Sequence, residues 1–269
     1  MAIGLSTYSF FWRGSERVPT PMTLVQMLEQ CAELDVKLFQ ICDYEKITAL
    51  SDAELLELRK QAQALGIELE LGTRGLKAEH LDPYLHIARK LNVRMLRSMF
   101  NTPVHQPTAK EAEVFIRQAL PRLEASGIHL SLETYEQVNS KTMVSVIDRI
   151  DSPYVGVCLD PGNCVAALEN PKDVINNTKH RVTNLHVKDF LFSRQAGWVG
   201  FNLVGCPLGT GLLDYDYLIK QVNPEPRGIN QIIEHWLPWQ TNAVTTCRLE
   251  NQWTRHNLNY IRNRLKQEQ

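Results

Sequence analysis

A chain of 269 residues that is 43% hydrophobic and 22% charged carries enough apolar material for a large core, which excludes a disordered or fibrous protein. Its formal charge of −1 offers no general attraction to a nucleic-acid backbone or an anionic lipid surface, so an anionic ligand must be met by local basic residues. The N-terminus lacks the basic start and apolar core of a signal peptide, and no run approaches the roughly 18 apolar residues of a membrane span; a cytoplasmic protein is expected.

Short apolar runs alternate with longer stretches of helical period, the mark of a parallel sheet wrapped by helices. A strand at 3–9 leads to a helix over 22–35, where Leu24, Met27, Leu28, Cys31 and Leu34 form a buried stripe. Strand 37–42 is followed by a helix over 52–65, opened by the capping box Ser51-Asp-Ala-Glu54 and closed by Gly66. Strands at 67–72 and 95–99 bracket a helix over 79–91, and a second capping box, Thr108-Ala-Lys-Glu111, starts a helix over 109–126 that ends at Gly127. Strand 128–133, helix 140–150, strand 154–159, a helix over 171–178 begun by Pro171, and strand 182–188 complete the next units. A glycine-rich stretch over 189–213 is too long for a plain connector and reads as an active-site loop. Helix 214–221, strand 230–235 and helix 244–265 finish the chain. Eight βα units without a glycine fingerprint after the first strand predict one (β/α)8 TIM-barrel domain over 1–269.

Four polar residues stand alone inside apolar strands: Glu133 in Ile128-His-Leu-Ser-Leu-Glu, Asp160 in Tyr154-Val-Gly-Val-Cys-Leu-Asp, His186 in Val182-Thr-Asn-Leu-His-Val, and Glu234 in Gln231-Ile-Ile-Glu. All fall at or near the C-terminal ends of strands five to eight, where a barrel gathers its reactive groups. Three carboxylates and one neutral imidazole suit a single hard or borderline divalent ion, Mn²⁺, Mg²⁺ or Co²⁺ ahead of Zn²⁺. The six cysteines contain no CxxC pair; Cys158 and Cys164, which bracket Asp160, are expected to pack rather than to bind metal.

Arg74, Arg97 and Lys188 lie at other strand ends, where they either pair with acids such as Asp43, Glu136 or Asp189 or clamp a carboxylate or phosphate of a substrate. Tyr8 and Trp12, beyond the first strand, are expected to wall the cavity; Phe10, Phe11, Trp198 and Trp236 are weaker candidates. His235 should face away from the site.

Leu132-Glu133, Cys158-Leu-Asp160-Pro-Gly-Asn163, Leu185-His-Val-Lys-Asp189, Pro207-Leu-Gly-Thr-Gly211 followed by Asp214-Tyr, and Ile232-Ile-Glu234, in this order and spacing, resemble the xylose-isomerase-like TIM-barrel superfamily over essentially the whole chain. Within it, the sugar phosphate isomerase/epimerase group is most similar. The resemblance implies that Glu133, Asp160, His186 and Glu234 hold one divalent ion, that Glu133 and Glu234 also move protons, and that Asn163 touches substrate. It further implies a small carbohydrate partner and a homo-oligomer, for which the C-terminal helix could serve as an interface. The leading expectation is an isomerase or epimerase of a small ketose, sugar acid or sugar phosphate working through a metal-stabilised enediolate.

Two departures weaken the transfer of an epimerase mechanism, and the first favours the alternative, a lyase acting as decarboxylase or dehydratase of a 3-oxo sugar acid or inosose-like ketone. Asn163 stands where many members carry histidine, and asparagine cannot shuttle a proton near pH 7. Thr134-Tyr135-Glu136 replaces a common Asn-His. DNA repair by an apurinic-endonuclease-like site is disfavoured, since Asp43, Arg74 and Arg97 occupy strand exits where a zinc cluster would need histidines. A non-catalytic sugar binder would not require paired glutamates on a metal.

Overall fold

The computed structural model describes residues 1–267. Seven parallel strands, β1 (Ile3–Ser6), β2 (Leu38–Cys42), β3 (Glu68–Gly72), β4 (Met95–Ser98), β5 (His129–Glu133), β6 (Val155–Leu159) and β7 (Val182–Val187), are followed by a separate pair, β8 (Asp189–Arg194) and β9 (Phe201–Cys206). The last strand, β10 (Asn230–Ile233), joins the first seven and closes an eight-stranded barrel. Closure is made by β1 against β10, with Ile3 opposite Gln231 and Leu5 opposite Ile233. The outer helices are α1 (Leu24–Glu33), α2 (Asp52–Ala64), α3 (Ala78–Leu91), α4 (Ala109–Ser126), α5 (Ser140–Ile150), α6 (Pro171–Thr178), α7 (Tyr215–Val222) and α8 (Ala243–Gln267). None is long and apolar enough to cross a membrane.

Local chemistry fixes most boundaries. Ser51 and Thr108 each accept the backbone N–H three residues on while Glu54 and Glu111 reach back, so both capping boxes form. Gly127 ends α4 at φ +62, a conformation open to glycine without steric cost. The first strand stops sooner than the apolar run does. Ser6 Oγ accepts the Tyr8 amide and turns Thr7–Phe10 into a 3-10 coil, which lifts Tyr8 over the barrel mouth.

Along the strands, Phe39, Ile41, Leu69, Leu71, Leu130, Leu132, Leu185 and Val187 belong to the apolar core. The intervening positions are Gln40, Glu70, Ser131, Glu133, Asn184 and His186, all buried. Hydrogen bonds from β7 to the non-adjacent β2 and β3, His186 to Gln40 and Asn184 to Glu70, show that this second set fills the barrel interior. The two parities follow from the period of a strand.

The stretch 189–213 is not one irregular loop. Strands β8 and β9 form an antiparallel hairpin, and Gly197 and Gly200 supply positive φ at its tip. Asp189, buried beside Lys188, accepts the amides of Phe190, Gly209, Gly211 and Leu213 at 2.9–3.0 Å. A Cβ on Gly211 would lie 2.4 Å from the Phe190 carbonyl oxygen, so the returning chain fits there only without a side chain. Asp189→Ala should strand these buried donors and lower the unfolding free energy by about 3 kcal/mol, read from the urea midpoint at unchanged slope.

Candidate active site

The C-terminal ends of β5, β6, β7 and β10 bring Glu133, Asp160, His186 and Glu234 together, with one potential ligand atom from each lying within 4.8 Å of all the others. All four are buried. Such an array is costly unless the charges are matched, and each carboxylate has its own partners.

Glu133 accepts from Asn163 Nδ2 at 2.8 Å on Oε1, and Arg97 Nη2 contacts Oε2. Asp160 Oδ1 takes the amides of Gly162 and Asn163, while Oδ2 lies 2.6 Å from Lys188 Nζ. Glu234 accepts from Ser6 Oγ at 3.1 Å and from Lys188 Nζ at 2.8 Å. His186 donates from Nε2 to Gln40 Oε1 at 2.8 Å, so its Nδ1 is turned toward Glu133 Oε1 and Glu234 Oε1, each 3.3 Å away. That Nδ1 is buried without a hydrogen bond, while Glu133 Oε2 and Asp160 Oδ2, equally buried, are met only by their ion-pair partners Arg97 and Lys188.

These contacts decide protonation. Burial alone would raise Glu133, but Arg97, then His186 and Lys188, hold its carboxyl down to about 2. Burial likewise opposes ionisation of Glu234, yet His186 and Lys188 keep it well below the usual carboxylate range. Asp160 goes the other way: desolvation outweighs Lys188 and lifts it to about 6. For His186, burial works against the cation, but the Cys158 sulfur and the Glu234 and Glu133 carboxylates outweigh it and raise the imidazole well above its ordinary value. Three convergent carboxylates and an imidazole whose Nδ1 faces two of them are, once that nitrogen is deprotonated, a donor set suited to a divalent ion. Nδ1, with no hydrogen bond of its own, and the carboxylate oxygens gathered around it are the atoms that such an ion would satisfy.

Above the four residues opens a cavity of about 220 Å³, lined by Tyr8, Arg74, Arg97, Glu133, Asn163, Lys188, Glu234 and Trp236 among others. The expected cations therefore do meet at one cavity, and they are also paired. Asp43 accepts from Tyr8 Oη and Arg74 Nε at 2.9 Å and from Arg97 Nη1 at 3.0 Å. It does so at φ +49, an uncommon conformation for a residue other than glycine. Lys188 pairs with Asp160 and Glu234, neither of which was expected as its partner, and stands 4.8 Å over the Trp236 ring. Neither Glu136 nor Asp189 pairs with these cations among the described residues.

Other placements differ from the sequence reading. Trp12 does not line this cavity; its Nε1 donates to the Leu237 carbonyl, and its ring packs edge-on to Trp239 beside an adjoining apolar cleft. Asn163 commits its amide nitrogen to Glu133 and the Thr134 carbonyl, leaving only Oδ1 for a ligand. Trp198 is exposed at the hairpin tip. Cys158 and Cys164 are buried free thiols outside the four-residue cluster. His235 is turned to Thr254 and Asn257, and burial drives its imidazole down to about 3. Gln40, Glu70, Asn184 and Asn230 went unnoticed in the sequence, although Gln40 in Leu38–Cys42 and Glu70 in Glu68–Gly72 show the same signal, a polar residue inside an apolar strand.

A family model described as the xylose isomerase-like TIM barrel matches residues 28–264. The 3-oxo-isoapionate decarboxylase of Pectobacterium atrosepticum is 60% identical over 261 residues, covering 97% of this chain and 95% of that protein. Among solved structures, D-psicose 3-epimerase in the presence of D-fructose superposes with a TM-score of 0.73 at 16% identity, covering 97% of this chain and 98% of that one. A xylose isomerase-like TIM barrel protein from Mycobacterium smegmatis in complex with magnesium gives 0.68 at 18% identity, covering 95% and 96%. At these identities the two structures speak for the fold.

An ion entering this site must displace the proton of His186, and below about pH 6 that of Asp160 as well. Binding of Mn²⁺ or Zn²⁺ at pH 7 should release protons, and affinity should fall as pH drops from 7 to 5. Calorimetry in buffers of different ionisation enthalpy checks both.

Proposed function

The chain belongs to the xylose isomerase-like TIM-barrel family, and from that premise we propose that it is a divalent-metal-dependent decarboxylase of a 3-oxo sugar acid, with 3-oxo-isoapionate as its substrate. The observation that carries this reading over isomerisation or epimerisation is the 60% identity, over 97% of the chain, to a 3-oxo-isoapionate decarboxylase. The site agrees with it: Arg97 and Lys188 stand at the cavity beside the cluster, where they can meet a substrate carboxylate. Decarboxylation needs no base: the bond from the α-carbon to the carboxylate breaks, CO₂ leaves, and the electron pair passes toward the neighbouring ketone oxygen. Asn163, unable to shuttle a proton, fits the same chemistry.

In this reading Glu133, Asp160, His186 and Glu234 hold the ion. A divalent cation there supplies electrophilic stabilisation for negative charge developing on the substrate's ketone oxygen. Local charge favours an acid as substrate. Arg74, Arg97 and Lys188 put three cations around one cavity, local positive charge that a substrate carboxylate can meet. Arg97 and Lys188 flank the cavity as that clamp, Arg74 and Tyr8 close its rim, and Trp236 keeps water from the reacting carbon. Lys188, a protonated side chain lining the cavity, is assigned as the proton donor to the α-carbon once CO₂ has gone.

Purified protein supplied with Mn²⁺ or Mg²⁺ should release one CO₂ per 3-oxo-isoapionate consumed, incorporate solvent deuterium into the product, and stop on chelation. Deuterium exchange into neutral ketoses without CO₂ release would overturn the assignment in favour of an epimerase. Arg74→Ala should mainly raise KM, by about tenfold, because one charged contact at an exposed rim is worth roughly 1–2 kcal/mol.

A further inference from the structure

Below Glu133, Asp160, His186 and Glu234, the barrel interior carries a polar layer where apolar side chains normally pack. Gln40 and Glu70 are opposite one another on β2 and β3, and Asn184 and Asn230 on β7 and β10. Their polar groups form one directed chain. It starts at a group whose direction cannot change: the Ala2 backbone N–H donates to Asn230 Oδ1 at 2.9 Å. The Asn230 amide nitrogen must then point the other way, and it donates to Glu70 Oε1 at 2.8 Å. Glu70 Oε2 accepts from Asn184 Nδ2 at 2.9 Å and from Gln40 Nε2 at 3.1 Å. With its nitrogen engaged, Gln40 can present only Oε1 to His186, and it takes the Nε2 proton at 2.8 Å. With the Nε2 proton held by Gln40, Nδ1, the buried nitrogen that lacks a hydrogen bond and faces Glu133 and Glu234, is the one that gives up its proton to an ion and offers the lone pair.

We infer that Glu70, acting through Gln40, is a positioning residue that fixes the tautomer of His186 and so sets the affinity of the site for its divalent ion. A carboxylate at position 70 can only accept, and that polarity is handed to the ring by one amide. Glutamine at position 70 could donate instead; Gln40 could then turn over, offer N–H to Nε2 and leave the imidazole proton on the nitrogen that faces the carboxylates.

This inference rests on the metal reading above, and its test reads metal binding rather than turnover. Metal-stripped protein is titrated with Zn²⁺ by calorimetry, with circular dichroism checking the fold. Glu70→Gln should weaken binding by about 10- to 100-fold, the usual cost of losing the group that orients a ligating histidine. Gln40→Met, which cuts the chain but keeps the Glu70 charge, should lose a similar factor and decides the matter if Glu70→Gln does not fold. The exchange Gln40→Glu with Glu70→Gln restores an acceptor beside Nε2 and should recover most of the affinity, which additive damage to packing would not. Wild-type affinity in Gln40→Met, or an exchange variant as weak as Glu70→Gln, would overturn the inference alone. A wild-type protein that takes up no divalent ion would overturn it together with the metal reading.

Discussion

Three buried carboxylates cannot share a space a few ångströms across without positive charge beside them, and the arrangement of the barrel mouth follows from this need. Arg97 serves Glu133, Lys188 serves Asp160 and Glu234, and a raised His186 supplies a third positive charge that a metal would displace. The same cations push Glu133 and Glu234 to low proton affinity. Proton affinity at the mouth is therefore set by these pairings rather than by burial alone.

Much of this was legible in the sequence. The eight barrel strands and eight helices were readable because apolar runs, capping boxes and terminal glycines agree with one another, as at Ser51–Glu54 and Gly127. The four cluster residues stood out because a lone acid or imidazole at the end of an apolar strand is costly to bury unless a partner or an ion meets it there. Gln40 and Glu70 carried the same mark but lie deeper in their strands, away from the end where function is sought. Their meaning depends on β7 and β10, far away in the chain.

Other features had no local signal. The end of β1 is set by one serine hydroxyl, and the hairpin over Asp189–Cys206 is half exposed, so its strands lack the apolar runs by which the others were recognised. Pairing choices were equally hidden: Arg74 and Arg97 converge on Asp43, an alternative visible beforehand, whereas Lys188 answers two members of the cluster itself. Trp12 falls outside the cavity because the coil that raises Tyr8 carries the next aromatics past it.

Glu250 in α8 accepts the backbone amides of Trp12 and Arg13 and the Arg13 guanidinium, tying the segment just beyond Tyr8 to the last helix. The first strand is paired with the last, and Asn230 holds the amide of Ala2. A ribosome must therefore release the chain through α8 before the mouth of the barrel has its final shape, and any shorter nascent chain exposes charged groups whose counterparts have yet to be synthesised.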